Sequence, residues 1–252
     1  MRLEVRSACV GGNAMNHYDN PEFFAAYAQM YRSQAGLEGA GECHQLQPLF
    51  PDVQDKDVLD LGCGYGWHCK YAADMGARRV TGIDLSAKMI SEARKRNSDG
   101  RIDYHVASLL DWNYQSAAYD VVVSNLVLHY VEDLDVVYNR IHETLRPSGV
   151  FLMNIEHPTF TAGMNQQFSD DGTWPVTDYY YPGQRQTDFL GHRITKYHHT
   201  LTQILNGLIK AGFSLEAVEE AMPPEEWREM MPEEMRRPMM LLVKAVKKGN
   251  AL

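Results

Sequence analysis

No run of apolar residues in this chain approaches the ~18 needed to cross a bilayer, so no membrane-spanning helix is expected. The first twenty residues, MRLEVRSACVGGNAMNHYDN, carry Arg2 and Arg6 and lack the apolar centre of a secretory leader. Met15 is an alternative start, with the residues before it an upstream extension. Cysteine is scarce. The four, Cys9, Cys43, Cys63 and Cys69, include no C-x-x-C pair, which argues against a zinc knuckle or a dithiol site. So sparse and irregular a set suits a reducing, cytoplasmic setting. His68 and Cys69 are adjacent and diverge, and adjacent His198 and His199 seldom converge on one ion, so no metal is expected. Positive charge is also short. Lys and Arg total 24 against 33 Asp and Glu, a formal charge of -9, which disfavours non-specific binding to a phosphate backbone. Neither an internal repeat nor a low-complexity tract is present.

What the chain does have is alternation. PEFFAAYAQMYR, Pro21 to Arg32, has helical spacing of Phe23, Phe24, Tyr27 and Tyr31, with Asn20 as cap. A short helix is expected near Glu42 to Leu49. Strand and helix patterns then alternate. DVLDLG, RRVTGIDLS, RIDYHVASL, YDVVVSN and GVFLMNIEHP read as strands, separated by GWHCKYAADMGA, AKMISEARKRN and DLDVVYNRIHETLRPSG as helices. Ser86 should cap the second of these, and Pro147 with Gly149 should stop the third. Such a rhythm specifies an α/β fold with a doubly wound, mostly parallel sheet. It breaks after Pro158. Thr159 to about Phe189 has no clear period and is rich in turn formers and aromatics. A loop that long inside a domain is usually functional. LTQILNGLIKAG is a helix, and FSLEAVEEAM and PMMLLVKAVKK read as closing strands.

The most informative stretch is VLDLGCGYG, Val58 to Gly66. A strand runs directly into Gly62, Gly64 and Gly66. In doubly wound folds ligands bind beyond the C-terminal ends of the strands. The spacing is G-x-G-x-G, and Trp67 stands where a dinucleotide fingerprint needs its third glycine. A P-loop is absent. Both facts disfavour a pyrophosphate and a nicotinamide cofactor and favour adenosine without phosphates. Asp84 ends the second strand and is placed to accept from ribose hydroxyls. Asp60, inside an apolar strand, would hold the glycine loop through backbone N–H groups or accept from a ligand ammonium.

VLDLGCGYG, VTGIDLSAKMISEAR, YDVVVSNLVLHYVED and ETLRPSGVFLMNIEHP, in that order, resemble the class I S-adenosylmethionine-dependent methyltransferases over about Lys56 to His157. The resemblance implies a seven-stranded Rossmann-like sheet whose last strand is antiparallel. It implies S-adenosyl-L-methionine as cofactor, with S-adenosyl-L-homocysteine as product. By position, Gly62, Gly64 and the backbone near Cys63 would line the methionine part. Asp84 would bind ribose, with Leu85 and Met89 against adenine. An acid is usual at the end of the third strand. Here Ala107 and Ser108 stand there, so Ser108 and the Leu109 backbone, or Asp111 reaching back, would serve. Asn125 and Leu126 would lie beside the sulfonium and the substrate, and Tyr18 and Tyr27 would belong to a cover over the cofactor.

The expected layout is an extension over 1–16, a helical cover over 17–55, a cofactor core over 56–157, a lid over 158–198 and a closing segment over 199–252. His129 and His157 are the candidate bases, needed only if the acceptor must lose a proton. Glu156 would orient His157 or bind the acceptor. Trp174, Tyr179, Tyr180 and Tyr181 would wall the acceptor site. The expected reaction is in-line methyl transfer to a small-molecule acceptor, with no nucleic acid or membrane partner and a homodimer as one option for assembly. An RNA or protein methyltransferase and a non-catalytic cofactor-binding regulator are the alternatives. The chain lacks an N-P-P-Y-like tetrapeptide after the fourth strand; SNLV stands there.

Overall fold

The computed structural model describes residues 16–163 and 166–249; the alternative starts Met1 and Met15, and Cys9, lie outside them. The strands are β1 (Asp57–Leu61), β2 (Arg79–Asp84), β3 (Ile102–Val106), β4 (Tyr119–Asn125), β5 (Leu145–Glu156), β6 (Gly183–Phe189), β7 (His192–His198), β8 (Phe213–Ala221) and β9 (Met240–Lys247). Seven of them form one sheet in the order β3-β2-β1-β4-β5-β9-β8, and β6 pairs with β7 as a separate hairpin. β1 to β5 are mutually parallel where they pair. β9 runs antiparallel to both β5 and β8. This is the doubly wound, mostly parallel seven-stranded sheet that the alternation and the resemblance imply.

All five residues of β1 are buried, because helices cover both faces of the sheet. On one face Leu59, Val122, Phe151 and Val243 pack with Tyr138 and Ile141 of α6 (Leu134–Thr144) and Leu208 of α8 (Leu201–Lys210). On the other, Val58, Val80 and Val121 pack with Ala72 of α4 (Trp67–Asp74) and Ala93 of α5 (Ala87–Arg96). Polar side chains start three of these helices. Ser86 Oγ accepts from Met89 N, and Asp133 Oδ1 from Val136 N. Thr200 and Gln203 form a reciprocal capping box at α8.

Before β1 the chain is helical: α1 (Pro21–Ala28), α2 (Tyr31–Ala35) and α3 (Cys43–Leu49). Asn20 caps α1 through Glu22 N and Phe23 N. The single helix expected over Pro21 to Arg32 is broken at Gln29 and Met30, so Phe23 is buried while Tyr31 is exposed. The boundary at Pro147 also differs from expectation. α6 ends at Thr144 and β5 starts at Leu145, carrying Pro147 within it. That proline sits where the register against β4 shifts, between the Tyr119–Leu145 and Val121–Val150 pairs. β6 was hidden because it is largely polar, GQRQTDF, and belongs to a two-stranded sheet with no continuous apolar face. Short α7 (Pro158–Thr161) follows β5, and among the described residues no helix is long and apolar enough to span a membrane.

Candidate functional site

Beyond Leu61 the chain turns through three glycines, all with left-handed φ: +73° at Gly62, +52° at Gly64 and +79° at Gly66. They serve different purposes. A Cβ on Gly62 would lie 2.1 Å from Val127 Cγ2, and one on Gly66 2.2 Å from the Tyr104 hydroxyl. A Cβ on Gly64 would meet nothing within 4 Å. Two glycines therefore make room for the chain itself, and only Gly64 presents bare backbone to open space.

The loop hangs from β2. Gly62 N and Cys63 N donate to the Ile83 carbonyl at 2.8 and 2.9 Å. Gly64 N donates to Asp84 Oδ2 at 2.9 Å, and Ser86 N to Asp84 Oδ1 at 2.8 Å. Desolvation pushes the Asp84 carboxyl up to about 6 against these two bonds, with Asp19 adding to the rise. Asp60 does not bind the glycine loop, which corrects one of its two expected roles; Asp84 does that work. Asp60 Oδ2 accepts from Cys69 Sγ at 3.2 Å, and Oδ1 is buried with no partner. Burial, with Asp84 nearby, pushes this carboxyl up to about 7. Cys63 is buried and is a free thiol.

Of the two side chains assigned to adenine, Leu85 is 50% exposed at the rim, whereas Met89 is 2% exposed beneath the α5 cap. Met89 thus has little surface to offer a ring. Ser108 and Leu109 are tied into their own turn: Leu110 N donates to Ser108 Oγ at 3.1 Å, and the Tyr114 hydroxyl to the Leu109 carbonyl at 2.8 Å.

At the end of β4, Asn125 Oδ1 accepts from Asn154 Nδ2 at 2.9 Å. Leu126 is left-handed at φ +57°, and its N–H donates to the Asn154 carbonyl at 2.8 Å. A leucine held there is strained, which is typical of ligand-contacting turns. Asn154 Nδ2 also reaches Glu42 Oε1 at 3.2 Å, and Glu42 is paired with Arg32 at 2.9 Å. Arg32, Glu42 and Asn154 form a buried polar junction between the helical cover and the sheet. Sequence reasoning missed all three, since a charge in the short α2, another at the start of α3 and an amide in β5 give no local sign that they meet.

The cover closes over this edge. Asp19 accepts from Ser86 Oγ at 2.6 Å and from Lys88 N at 3.2 Å. Tyr18 lies edge-on to Phe23, Tyr27 and Tyr130, with its hydroxyl 3.3 Å from that of Tyr130. The Tyr27 ring lies 5.9 Å from Tyr65 of the glycine loop. Burial raises the pKa of both Tyr18 and Tyr27.

The two histidines differ. His129 is buried, with Nε2 3.9 Å from Glu156 Oε1 and Nδ1 unpartnered. Burial holds it down at about 4, so it is neutral at pH 7. His157 is the N-cap of α7: its Nδ1 accepts from Thr159 N at 3.1 Å, and its Nε2 lies 2.9 Å from Glu220 Oε1 on β8. Expected to face the pocket, it has both nitrogens directed at other parts of the fold. Glu156 does not orient it. That carboxylate holds the ammonium of Lys196, from β7, in a buried ion pair. Burial alone would raise the Glu156 pKa, but His129 and Lys196 outweigh it and hold it below the usual range.

In the segment expected to be a lid, Trp174 stacks on Phe160 at 5.5 Å and 13°. Tyr179 accepts from Leu201 N. Tyr180 and Tyr181 are 85% and 73% exposed and wall nothing, contrary to expectation. His198 Nδ1 pairs with Thr161 Oγ1 at 2.7 Å and His199 Nε2 with the Val131 carbonyl at 2.8 Å, so both are structural.

A carboxylate beside a bare glycine backbone, an unpartnered buried Asp60 oxygen and an aromatic cover suit a ligand that combines a ribose, a cation and an aromatic base. A methyltransferase-domain model matches residues 59–153. A solved S-adenosylmethionine-dependent methyltransferase from Mesorhizobium loti is 38% identical, covering 84% of this chain and 100% of that one, with a TM-score of 0.78. One from Listeria monocytogenes assigned to the same class is 41% identical, covering 84% and 99%, with a TM-score of 0.79. The malonyl-[acyl-carrier protein] O-methyltransferase of Enterobacter lignolyticus is 38% identical over 42% of this chain and 41% of its own length, so the chain spans less than half of that relative. This chain belongs to the class I S-adenosylmethionine-dependent methyltransferases, and is an enzyme that uses S-adenosyl-L-methionine.

Proposed function

We propose that the enzyme methylates a small-molecule acceptor enclosed between the C-terminal end of β5, the helical cover and the β6–β7 hairpin. The observation that carries this reading is the contact between cover and hairpin. Phe23 of α1 lies 5.8 Å from the Phe189 ring and 5.4 Å from His192, both edge to face. Together with Tyr18 on Tyr130, this contact covers the methyl-transfer edge with chain, which favours a compact acceptor over a polymer. The net charge of -9 supports the same choice over nucleic acid.

Asp84, Gly64, Asp60, Leu85 and Asn125 would hold the cofactor, whose sulfonium supplies an electrophilic methyl group. The chain's own contribution is mostly positioning. Leu126 and Asn125, locked by Asn154, set the floor beside the transfer site. His129, neutral and with an unpartnered Nδ1, is the group available to take a proton from an acceptor that must lose one. His157 serves as a cap.

The test is a screen of small organic acceptors against RNA and protein substrates, with release of S-adenosylhomocysteine as readout. Turnover confined to small molecules supports the reading; turnover confined to RNA or protein overturns it.

A further inference from the structure

The segment returning from β8 to β9 delivers Arg237 into an aromatic clamp. Its guanidinium carbon lies 4.2 Å from the centre of the Trp174 ring, 4.7 Å from Phe160 and 5.7 Å from Phe168. Nε and Nη1 are both buried, and neither has a hydrogen-bond partner among the described residues. Several other arginines among the described residues have partners. Arg32 pairs with Glu42, Arg146 with Asp57 and Asp120, and neighbouring Arg236 donates to the Gly172 carbonyl. No carboxylate of the described residues forms an ion pair with Arg237. Attraction to three ring faces offsets part of the cost of burying this cation, but it leaves two donor nitrogens unsatisfied, which native proteins rarely tolerate without a role.

The position gives that role. Phe160 is shared: the same ring lies 5.9 Å from Lys196 Nζ, and Lys196 is seated on Glu156 at the end of β5. Two residues after Arg237, the Met239 carbonyl accepts from His157 N at 2.9 Å, which pins the segment to that strand end. Glu156 pairs directly with Lys196, whereas Glu156, Glu233 and Glu234 act on Arg237 only at longer range, so among the described residues its fork has no direct counter-ion. The rings fix the plane of the fork, so an oxyanion that reaches its edge meets a pre-oriented cation whose donors are not already spent on the protein.

We propose that Arg237 receives an anionic group, a carboxylate or a phosphate, carried by the methyl acceptor, so that the acceptor is a small organic anion. This rests on the small-molecule reading above.

The experiment measures the melting temperature of the full chain saturated with S-adenosylhomocysteine, in sodium benzoate, inorganic phosphate or sodium chloride at equal ionic strength. The expected result is a rise over chloride with benzoate or phosphate in the wild type that is absent in Arg237→Gln. A response to benzoate alone assigns a carboxylate, and one to phosphate alone a phosphate ester. No rise over chloride with either anion, or the same rise in the variant, overturns the proposal. The free protein supplies a second readout. A cation kept for a ligand is dispensable to the fold, so Arg237→Met should melt at or above the wild-type temperature. A fall of more than about 5 °C would make it a packing residue and overturn the proposal. Both readouts need no turnover, so they are independent of whether any small acceptor is methylated.

Discussion

The Lys196 ammonium rests on the Glu156 carboxylate, and both side chains are buried. This pair fastens the β6–β7 hairpin to the strand end where methyl transfer is expected. Removing one partner leaves a buried charge uncompensated. Lys196→Met should therefore cost about 3–5 kcal/mol in urea unfolding, and Lys196→Met with Glu156→Leu should recover most of that loss. Equal loss in the single and double variants would show that the pair is not what holds the hairpin.

The Asp84 carboxyl, raised to about 6, makes cofactor binding depend on pH. Accepting ribose hydroxyls favours the ionised form, so binding lowers this pKa. Affinity for S-adenosylhomocysteine should be level above about 6 from this group and fall up to tenfold per unit as pH drops below it. For the free fold the sign is opposite: a raised carboxyl contributes stability at low pH that is lost as pH rises through about 6. Calorimetric titration from acid to neutral pH checks the first statement. Asp84→Ala should bind weakly at every pH, and an unchanged affinity would remove Asp84 from the site.

The three glycines should separate under substitution. Gly62→Ala meets Val127 and a left-handed φ, so it should destabilise the fold severely. Gly64→Ala meets open space and should cost only about 1–2 kcal/mol for its φ, while its methyl weakens cofactor binding by tenfold or more. Thermal melts beside binding isotherms distinguish the two. A Gly64→Ala protein with wild-type affinity would place the ligand elsewhere.

His157→Asn preserves a cap and should keep kcat within a few-fold, whereas His157→Ala should lose about 0.5–2 kcal/mol of stability. With an acceptor that must lose a proton, His129→Gln should lower kcat by about 10²–10⁴. Because burial holds His129 at about 4, its limb in the pH–rate profile should lie on the acid side, with activity lost as pH falls toward that value. Steady-state kinetics of the three variants decide the assignment.

Much of the fold was legible because its core is local and repetitive. Near-continuous apolar strands such as VVVSN, most of them alternating with helices, admit few arrangements. β6 was not legible, since a polar strand in a two-stranded hairpin carries no burial pattern. Pro147 misled because its effect depends on a register shift against β4 that no local rule encodes.

The candidate site divides in the same way. The positions of Gly62, Gly64 and Asp84 follow from chain order, because a strand end and the loop after it are neighbours in sequence. Which carboxylate holds the loop was decided only by folding: Asp84 reaches Gly64 N from the next strand, while Asp60 turns into the interior toward Cys69. In sequence His157 reads as free to act, but the fold sets Thr159 N and Glu220 Oε1 against its two nitrogens.

By itself the sequence determined the α/β alternation and the cofactor edge, since these depend on periodicity and on contacts between near neighbours, and its motifs carried the family resemblance that implied the class of chemistry. Only the tertiary structure set Lys196 on Glu156, Arg32 on Glu42 and Arg237 among Phe160, Phe168 and Trp174. Those partners lie 10 to 77 residues apart along the chain, and the desolvation that makes them matter exists only once distant segments have closed over them.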